Sequence, residues 1–538
     1  MKRRPEASLT LRVRTATEEC LLQVVPGTSV RDVLDTTKIR VRAACGGNGS
    51  CGACVVTWIS GDVNAQTTAE YQRLQPAERA AGARLACQLR LQADSEIRID
   101  DPAPPSAWTS IPANSLSAAP AGRPELQQHI YGLAVDLGTT HIRLSLWDRK
   151  QGRRIATRRG PNPQAIFGAD ILNRLASVID RPERAEEVAH LARDAILHAL
   201  RDILMRDVGE VRPMLAEIGE VFIVGNAAML ALLTSQGARE LLDPENWAGR
   251  VNYQPKDPAA FQSKWLLPHA TISLPDPVSG FIGSDLLADL VATRLIEGPP
   301  GSLLLDIGTN TEIALWDGTH LHITAVPGGP AFEGSGLRNG MAAEPGAIFR
   351  VRPNRDAWSL ETIGGSPERG FCGSGLVDAV ACLLASGQLK PSGRFASPTG
   401  DEGFCFDPGN PRTALHAQDI DTFQRAKAAT AAAMAALLRQ AGMGWNSVQR
   451  LCVCGAFGHT LDIAHAQAIG LLPPLPVEFI ELAADASLAG CEMGLLHQDG
   501  LATFANMRNH IVAINLSQIW DYDDLYIDHL RLRPIQNQ

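Results

Sequence analysis

Long apolar runs and basic runs are both missing from this chain of 538 residues. No segment approaches the roughly 20 consecutive apolar residues that a membrane-spanning helix needs, so we expect no membrane contact. The longest run of basic residues is Lys2-Arg3-Arg4, and the formal net charge is −9. Because a nucleic-acid surface needs a basic face for the phosphates, the sequence argues against DNA or RNA as a partner.

The patterns of a secreted protein are missing as well. The first residues carry charges, but the apolar stretch of about 7–15 residues that a signal peptide needs does not follow them. The 11 cysteines are an odd number, and four of them lie between residues 45 and 87. A secreted disulfide scaffold is short and evenly cross-linked. The sequence therefore predicts reduced thiols or metal ligation, and a cytoplasmic protein.

Aromatic residues are scarce, at 5%, but 45% apolar and 20% charged residues are typical of a folded globular protein. The length predicts roughly three or four domains or lobes. We place the first domain at residues 1–100, a linker at 101–130, and two lobes at 131–300 and 301–538. In the lobes, strand patterns alternate with helical ones, which predicts α/β architecture.

Residues 101–130 are rich in proline, alanine and serine and have no hydrophobic period. This composition predicts an extended, poorly ordered linker. We therefore expect the first domain to make few fixed contacts with the lobes and to sample several positions. The alternative is an ordered strap that packs on a neighbouring domain.

The four clustered cysteines have the spacing C-x5-C-x2-C-x32-C. Three thiolates from one loop and one from a distant segment can hold a 2Fe–2S cluster, and the glycines between them let the loop wrap closely around it. Structural zinc is the alternative, but only one of the usual paired C-x2-C knuckles is present. The segment resembles an adrenodoxin-like 2Fe–2S ferredoxin domain of the α+β, β-grasp type. The predicted ligands are Cys45, Cys51, Cys54 and Cys87.

A nucleotide site is indicated by two similar segments, at residues 131–147 and 301–316. Each is an apolar strand, an Asp-x-Gly-Thr turn and a second strand, and the repetition predicts two related lobes. Asp136 and Asp306 begin the two turns. A carboxylate there can hold Mg²⁺ through water, while the threonine hydroxyl and backbone N–H groups bind phosphate. The P-loop pattern GxxxxGK[ST] is absent, which excludes that class.

These segments resemble the superfamily of acetate and sugar kinases, heat-shock chaperone ATPases and actin. The resemblance implies two ribonuclease H-like lobes with ATP and Mg²⁺ in the cleft between them. It assigns a first phosphate turn, a second phosphate turn and an adenosine segment. The residues are, in that order, Asp136, Gly138, Thr139 and Thr140; Asp306, Gly308, Thr309 and Asn310; and Gly455 and Gly458.

A ferredoxin domain fused to an actin-like ATPase resembles the ATP-dependent reductive activators of corrinoid proteins. That resemblance implies one-electron reduction of Co(II) to Co(I) in a corrinoid protein of a methyltransferase system, an unidentified electron donor, and a homodimer through the actin-like part. The chain departs from the family pattern at Ala227-Ala228, where two threonines are usual, and at Thr311, where glycine is usual. The supporting segments are VGNAAM (224–229), GFIGSD (280–285), PGGPAFEG (327–334), FCGSGLVDAV (371–380), DIDTFQRAKAA (419–429) and IGLLP (469–473).

Three other functions stay open. One is an activator of a 2-hydroxyacyl-CoA dehydratase, although that family carries a 4Fe–4S cluster between subunits and lacks a ferredoxin domain. Another is a metabolite kinase with a redox-sensing ferredoxin domain, and the third is a ferredoxin tethered to an inactive nucleotide-binding scaffold. The sequence also predicts a helix at Asp419–Gln440, on which Lys427 either reaches the nucleotide or lies on a solvated face. Cys452 and Cys454 are expected on one buried face of a strand.

Overall fold

The structure is a computed structural model, and it describes most of the chain. The described residues are 9–16, 18–43, 45, 47–103, 106–112, 116, 120–168, 171–208, 211–243, 249, 251–280, 282–308, 310–326, 329–332, 334, 336–355, 357–400, 403–455, 457 and 460–536.

The first domain is a five-stranded mixed sheet with strand order β2-β1-β5-β3-β4. In β1, Leu11 and Val13 are buried while Arg12 and Arg14 point outward, as the strand period of two requires. β1 pairs antiparallel with β2 and parallel with β5, which is the predicted β-grasp arrangement. The elements are β1 (Leu9–Arg14), β2 (Glu19–Val24), α1 (Val30–Asp35), β3 (Val55–Ser60), α2 (Thr68–Arg73), α3 (Pro76–Ala80), β4 (Ala83–Leu85) and β5 (Ser95–Arg98).

The first lobe is built on a second five-stranded sheet. An antiparallel hairpin meander, β8-β7-β6, is extended by β9 and β10, which run parallel to β6. The elements are β6 (Tyr131–Leu137), β7 (His141–Asp148), β8 (Arg153–Pro161), α4 (Ile171–Ile179), α5 (Ala185–Ile203), α6 (Val211–Ala216), β9 (Ile218–Gly225), α7 (Ala227–Thr234), α8 (Ala238–Leu241), α9 (Pro258–Ser263), β10 (Thr271–Ser273) and α10 (Ser284–Thr293). One π-helical turn, Leu204–Val208, continues α5.

The second lobe repeats this topology. The meander β13-β12-β11 is extended by the parallel strands β19 and β20, and β21 adds to the other edge. The elements are β11 (Ser302–Ile307), β12 (Thr311–Trp316), β13 (Leu321–Val326), α11 (Gly329–Phe332), β14 (Ala347–Asn354), β15 (Ala357–Thr362), β16 (Gly370–Phe371), α12 (Gly373–Ala385), β17 (Phe404–Cys405), β18 (Ala414–Leu415), α13 (Ala417–Gln440), β19 (Arg450–Gly455), α14 (Ile463–Ala468), β20 (Ile480–Ala483), α15 (Ala486–Leu496), α16 (Gly500–Arg508), β21 (Ile511–Ala513) and α17 (Tyr522–His529).

The two lobes share one hydrophobic core between their sheets. It contains residues of both sheets together with α10 and α15, and Cys452 and Cys454 lie in it as predicted, fully buried on β19. The two helices cross closely, since a Cβ at Gly490 would lie 1.9 Å from the carbonyl oxygen of Ala288. The lobes therefore meet across a tight helix pair, and their sheets present corresponding strand ends to the same cleft.

The linker is ordered where the structure describes it between residues 106 and 112. Trp108 is 3% exposed, and its indole N–H donates to Nδ1 of His198 on α5 at 2.9 Å. Thr109 and Arg159 exchange two backbone hydrogen bonds, of 2.9 and 2.7 Å, at the edge of β8. The expectation of a poorly ordered chain is wrong for this stretch, because one tryptophan and one isoleucine supply apolar surface that the overall composition conceals.

The expectation of few fixed contacts between the first domain and the lobes is also wrong. Arg40 binds Asp202 of α5 at 3.2 Å, and Arg206 of the π-helical turn binds Asp35 of α1 at 2.6 Å. Arg31 of α1 binds Asp207. These pairs are largely buried, and buried charges persist only when they are paired. A Pro-rich linker allows mobility, but the charges on either side of it hold this domain on the first lobe.

A smaller contact joins the first domain to the second lobe. Strand β2 lies against the 3₁₀ turn Ile363–Gly365, where a Cβ at Gly365 would be 3.6 Å from Cδ1 of Leu21. The first domain thus touches both lobes. Among the described residues, no helix is both long enough and apolar enough to cross a membrane.

Candidate functional site

The four predicted cluster ligands come together in the first domain, three on the loop between α1 and β3 and one after β4. Cys54 and Cys87 are buried, Cys45 is half-buried, and Cys51 is exposed. All four are free thiols. The loop therefore presents Cys51 to solvent and encloses Cys54 and Cys87.

Two of these thiols, Cys45 and Cys87, lie in surroundings that favour anionic sulfur. Burial opposes ionisation of Cys45, but the backbone N–H groups of Cys51, Gly49 and Gly47 outweigh it and lower the pKa to about 7. A hydrogen bond from Cys54 lowers the pKa of Cys87 to about 6, assisted by Gln88 and the Arg31 guanidinium, while the pKa of Cys54 rises. Thiolate is the form that binds iron.

The loop glycines permit a close fit that larger residues would prevent. Gly47 and Gly49 have φ of +82° and +83°, a left-handed conformation that disfavours other residues. A Cβ at Gly49 would lie 2.7 Å from the Cβ of Ala69. The amide of Gln88 donates to the carbonyl of Gly47 at 2.9 Å and so closes the loop. Four thiols with inward N–H groups in a tight loop fit a 2Fe–2S cluster.

The first phosphate turn lies at the end of β6 and is held by side chains from three elements. Asn162 donates to the carbonyl of Gly138 at 2.9 Å, and Arg174 donates to the carbonyl of Thr139 at 2.7 Å. Asn226, the N-cap of α7, donates to the Thr139 hydroxyl at 2.8 Å. Thr140 is exposed, so the turn is rigid but keeps an accessible face.

The second phosphate turn lies at the matching end of β11. Gly308 donates its N–H to the carbonyl of Asn310 at 2.9 Å. In the neighbouring parallel strand β19, Gly455 lies opposite Ile307, and a Cβ there would be 2.4 Å from a carboxylate oxygen of Asp306. The predicted adenosine segment therefore begins directly beside the second turn. Thr309 and Gly458 lie outside the described residues.

Asp136 and Asp306 belong to a larger acidic group in the cleft. Asp136, Asp289 and Glu312 are buried, whereas Asp285 and Asp306 keep some exposure. Burial and the charges of Asp306 and Asp136 raise the pKa of Asp285 to about 8. Burial and Asp136 raise that of Asp306 to about 6, although a hydrogen bond from Asp289 opposes this. Carboxylate oxygens from both lobes are the type of ligand that a hard divalent cation takes.

Arg143 is a cation in this cleft that the sequence did not reveal. It lies opposite Asp136 in the β6–β7 ladder and binds that carboxylate at 3.1 Å, with Asp485 at 3.8 Å. Nothing in the sequence signalled it, since Arg143 stands at a regular polar position between the apolar residues Ile142 and Leu144 of β7. Asp285, Asp289 and Glu312 were missed too, because nothing in the two turns marks residues on α10 or β12.

The three residues that depart from the family pattern are all buried. Ala227 and Ala228 begin α7 and are buried. Thr311 is also buried, and its hydroxyl has no hydrogen-bond partner among the described residues.

Lys427 does not lie on a solvated face: it is fully buried and donates to the carbonyls of His529 and Arg531 at 2.6 and 2.7 Å. It supports the C-terminal segment.

The raised carboxyl pKa values predict that metal-free protein loses stability as pH rises. The pKa of Asp285 is 3.8 in the unfolded chain and is raised to about 8 in the folded protein by burial and neighbouring carboxylates. Between pH 4 and pH 8, roughly, the folded state therefore binds the proton more tightly than the unfolded chain does. The contribution of this carboxyl to stability is therefore full below about pH 4 and is lost as the pH rises to about 8. Mg²⁺ should reverse the loss, because it binds the ionised carboxylates.

Thermal midpoints in EDTA and in Mg²⁺, measured at about pH 5 and about pH 8, check this expectation. The stabilisation by Mg²⁺ should be larger at the higher pH, and Asp285→Asn should flatten the pH dependence in EDTA. An equal effect of Mg²⁺ at both pH values would contradict the acidic-group interpretation.

Comparison with known proteins matches three consecutive parts of the chain. Residues 15–92 match the 2Fe-2S iron-sulfur cluster binding domain. Residues 131–297 match the RACo middle region, and residues 301–537 match the C-terminal domain of RACo, the ASKHA domain. The first domain is thus a 2Fe–2S domain, and the two lobes form an actin-like ATPase, as expected from the sequence.

Two curated relatives and one solved structure are similar over most of the chain. The corrinoid activation enzyme RamQ of Eubacterium limosum is 28% identical over 401 residues, which cover 70% of this chain and 66% of the relative. The [Co(II) methylated amine-specific corrinoid protein] reductase of Methanosarcina barkeri is 24% identical, covering 72% of this chain and 74% of the relative. The structure of a reductive activator for corrinoid, iron-sulfur protein aligns with a TM-score of 0.64 at 23% identity, covering 97% and 98% of the two chains.

Proposed function

Because this chain belongs to the RACo family, we propose that it uses ATP to activate a corrinoid protein by one-electron reduction of Co(II) to Co(I). The observation that carries the proposal is the pairing, in one chain, of a cysteine loop that fits a 2Fe–2S cluster with an acidic cleft between two actin-like lobes. Two relatives that cover most of the chain are named for action on corrinoid proteins.

The residue roles that we propose follow the geometry. Asp136 and Asp306, with the other acids of the cleft, hold Mg²⁺, and the two turns and the adenosine segment bind ATP. The four cysteines hold the cluster, which supplies a low-potential electron when bound. Plant-type clusters have potentials near roughly −400 mV, and exposure and hydrogen bonds to sulfur tune them. Cys51 is the exposed one of the four cysteines, so a bound cluster would be nearest to solvent, and to a partner, on its side.

ATP is needed because reduction of protein-bound Co(II) is unfavourable. Each 59 mV of shortfall in a one-electron step is a factor of about ten in the equilibrium, and only an event that resets the protein can sustain the uphill transfer. Binding and hydrolysis of ATP change the two turns that face each other across the cleft. We propose that the resulting lobe movement acts on the corrinoid protein while the docked first domain delivers the electron.

We assign the cluster domain to residues 1–100, the linker to 101–130 and the lobes to 131–300 and 301–538. A separate electron donor reduces the cluster, and a second copy of the chain pairs through the actin-like part. We also propose a cytoplasmic location, because cysteines that ligate a cluster must stay reduced.

Appearance of the Co(I) absorption band tests the function. The protein is mixed anaerobically with a Co(II) corrinoid protein and a reductant, and Mg-ATP is then added. We expect the band to grow only when ATP is present, and to stay absent with a non-hydrolysable ATP analogue. Equal Co(I) formation with and without ATP would overturn the proposed coupling.

A further inference from the structure

Arginine 31 joins the cysteine loop to the first lobe. Its backbone N–H donates to the carbonyl of Ala86, next to Cys87, at 3.0 Å. Its guanidinium lies against the loop, because a Cβ at Gly47 would be 3.0 Å from one of its nitrogens and 3.9 Å from the Cβ of Cys87. The same guanidinium binds Asp207 of the first lobe. One buried side chain thus touches both the loop and another domain.

Arg31 is part of a buried network that spans the domain interface. Asp207 also binds Arg158 of β8, at 2.6 Å, and Arg158 in turn binds Asp202. Four guanidinium groups and three carboxylates take part, with members from both sides. They are Arg31, Asp35 and Arg40 from the first domain, and Arg158, Asp202, Arg206 and Asp207 from the first lobe.

We infer that Arg31 and Asp207 are positioning residues that set the reduction potential of the cluster across the domain interface. The inference rests on the proposed function only in that it requires the cluster to be bound. Reduction adds one negative charge to the cluster, so a fixed cation beside the loop favours the reduced form and a fixed anion disfavours it. In a buried site such charges are weakly screened. Asp207 binds the guanidinium that faces the loop, so it offsets the charge of Arg31 and lowers the potential of the cluster.

The signs of two substitutions separate this inference from a merely structural role. Arg31→Gln removes the cation and should lower the cluster potential. Asp207→Asn removes the anion, although it lies in another domain, and should raise it. We expect each to shift the one-electron equilibrium about tenfold, which is about 59 mV. A loss of packing alone would move both potentials in the same direction or release the cluster.

A spectroscopic redox titration of the full-length, cluster-loaded protein, without a corrinoid partner, measures these potentials. Arg31→Lys keeps the charge and should stay near the wild-type potential, which provides a test should the glutamine variant fail to fold. Arg42→Gln is the matched control, because Arg42 is an exposed arginine of the same domain that binds Asp101, and it should leave the potential unchanged.

An unchanged potential in Asp207→Asn would overturn the inference, since it would mean that the first lobe does not reach the cluster in solution. A fall of the potential in both Arg31→Gln and Asp207→Asn would overturn it as well. Neither result depends on corrinoid activation, so failure of this inference and failure of the proposed function are distinguishable.

Discussion

Asp306→Asn is expected to slow ATP hydrolysis by a factor of about 10²–10³, by analogy with the loss of other preorganised electrostatic groups. The carboxylate lies at the end of β11, beside the second phosphate turn and the first glycine of the adenosine segment. Asparagine keeps the shape but removes the charge that we propose positions Mg²⁺. Steady-state phosphate release measures the loss, and Asp136→Asn should behave alike.

A second measurement distinguishes this loss from misfolding. Because Asp306 raises the pKa of the neighbouring Asp285 by repulsion, its neutralisation should relieve the acidic group and raise the thermal midpoint of metal-free protein at about pH 8. Asp421→Asn is the matched control, since Asp421 is exposed on α13 and binds Arg425; its hydrolysis rate should be that of the wild type. A wild-type rate in Asp306→Asn would place the nucleotide elsewhere.

Cys87→Ser is expected to abolish Co(I) formation while ATP hydrolysis without a partner remains largely intact. Cys87 is the buried ligand that follows β4, and a serine hydroxyl at its position replaces a thiolate in a setting built for anionic sulfur. The cluster should be lost or spectroscopically distorted. Electron paramagnetic resonance of the reduced protein and iron content check the cluster, and phosphate release checks the ATPase.

The matched control is Cys20→Ser in the same domain. Cys20 is half-buried on β2, where burial raises its pKa to about 11, so it stays a neutral thiol and should tolerate the change with the cluster intact. Stoichiometric zinc instead of iron in anaerobically purified wild-type protein would end the redox interpretation. So would Co(I) formation at the wild-type rate by the Cys87→Ser variant.

The repeated hairpins made the fold predictable. Each Asp-x-Gly-Thr turn joins two strands whose apolar residues are set by a local period, so their positions could be read without knowledge of the rest of the chain. The structure places both turns at matching ends of two similar sheets, and the helix expected at Asp419–Gln440 spans Ala417–Gln440. The first domain was predictable in the same way, because the spacing of its four cysteines is characteristic of a 2Fe–2S ferredoxin domain.

The interface between domains could not be predicted, because it depends on pairs far apart in sequence. Arg31 and Asp207 look like ordinary surface residues on two separate helical segments, and only the docked structure shows that they are buried together. The linker was predicted to be poorly ordered because its average composition is rich in proline, alanine and serine. That average concealed the single tryptophan, Trp108, which packs on the first lobe. Asp285 and Glu312 were missed for the same reason, because their acidity matters only when two lobes bring them together.

The two contacts of the first domain have a consequence for how cleft width can be observed. The buried ion pairs attach this domain to the first lobe, whereas its contact with the second lobe is one strand against the turn at Ile363–Gly365. When the lobes change their separation, the stronger attachment keeps the domain with the first lobe, and the gap to that turn widens or narrows. A reduced 2Fe–2S cluster is paramagnetic, so its distance to a spin label attached near residue 365 can be measured by electron paramagnetic resonance. A change in that distance would report the opening or closing of the nucleotide cleft, although the cleft lies elsewhere in the molecule.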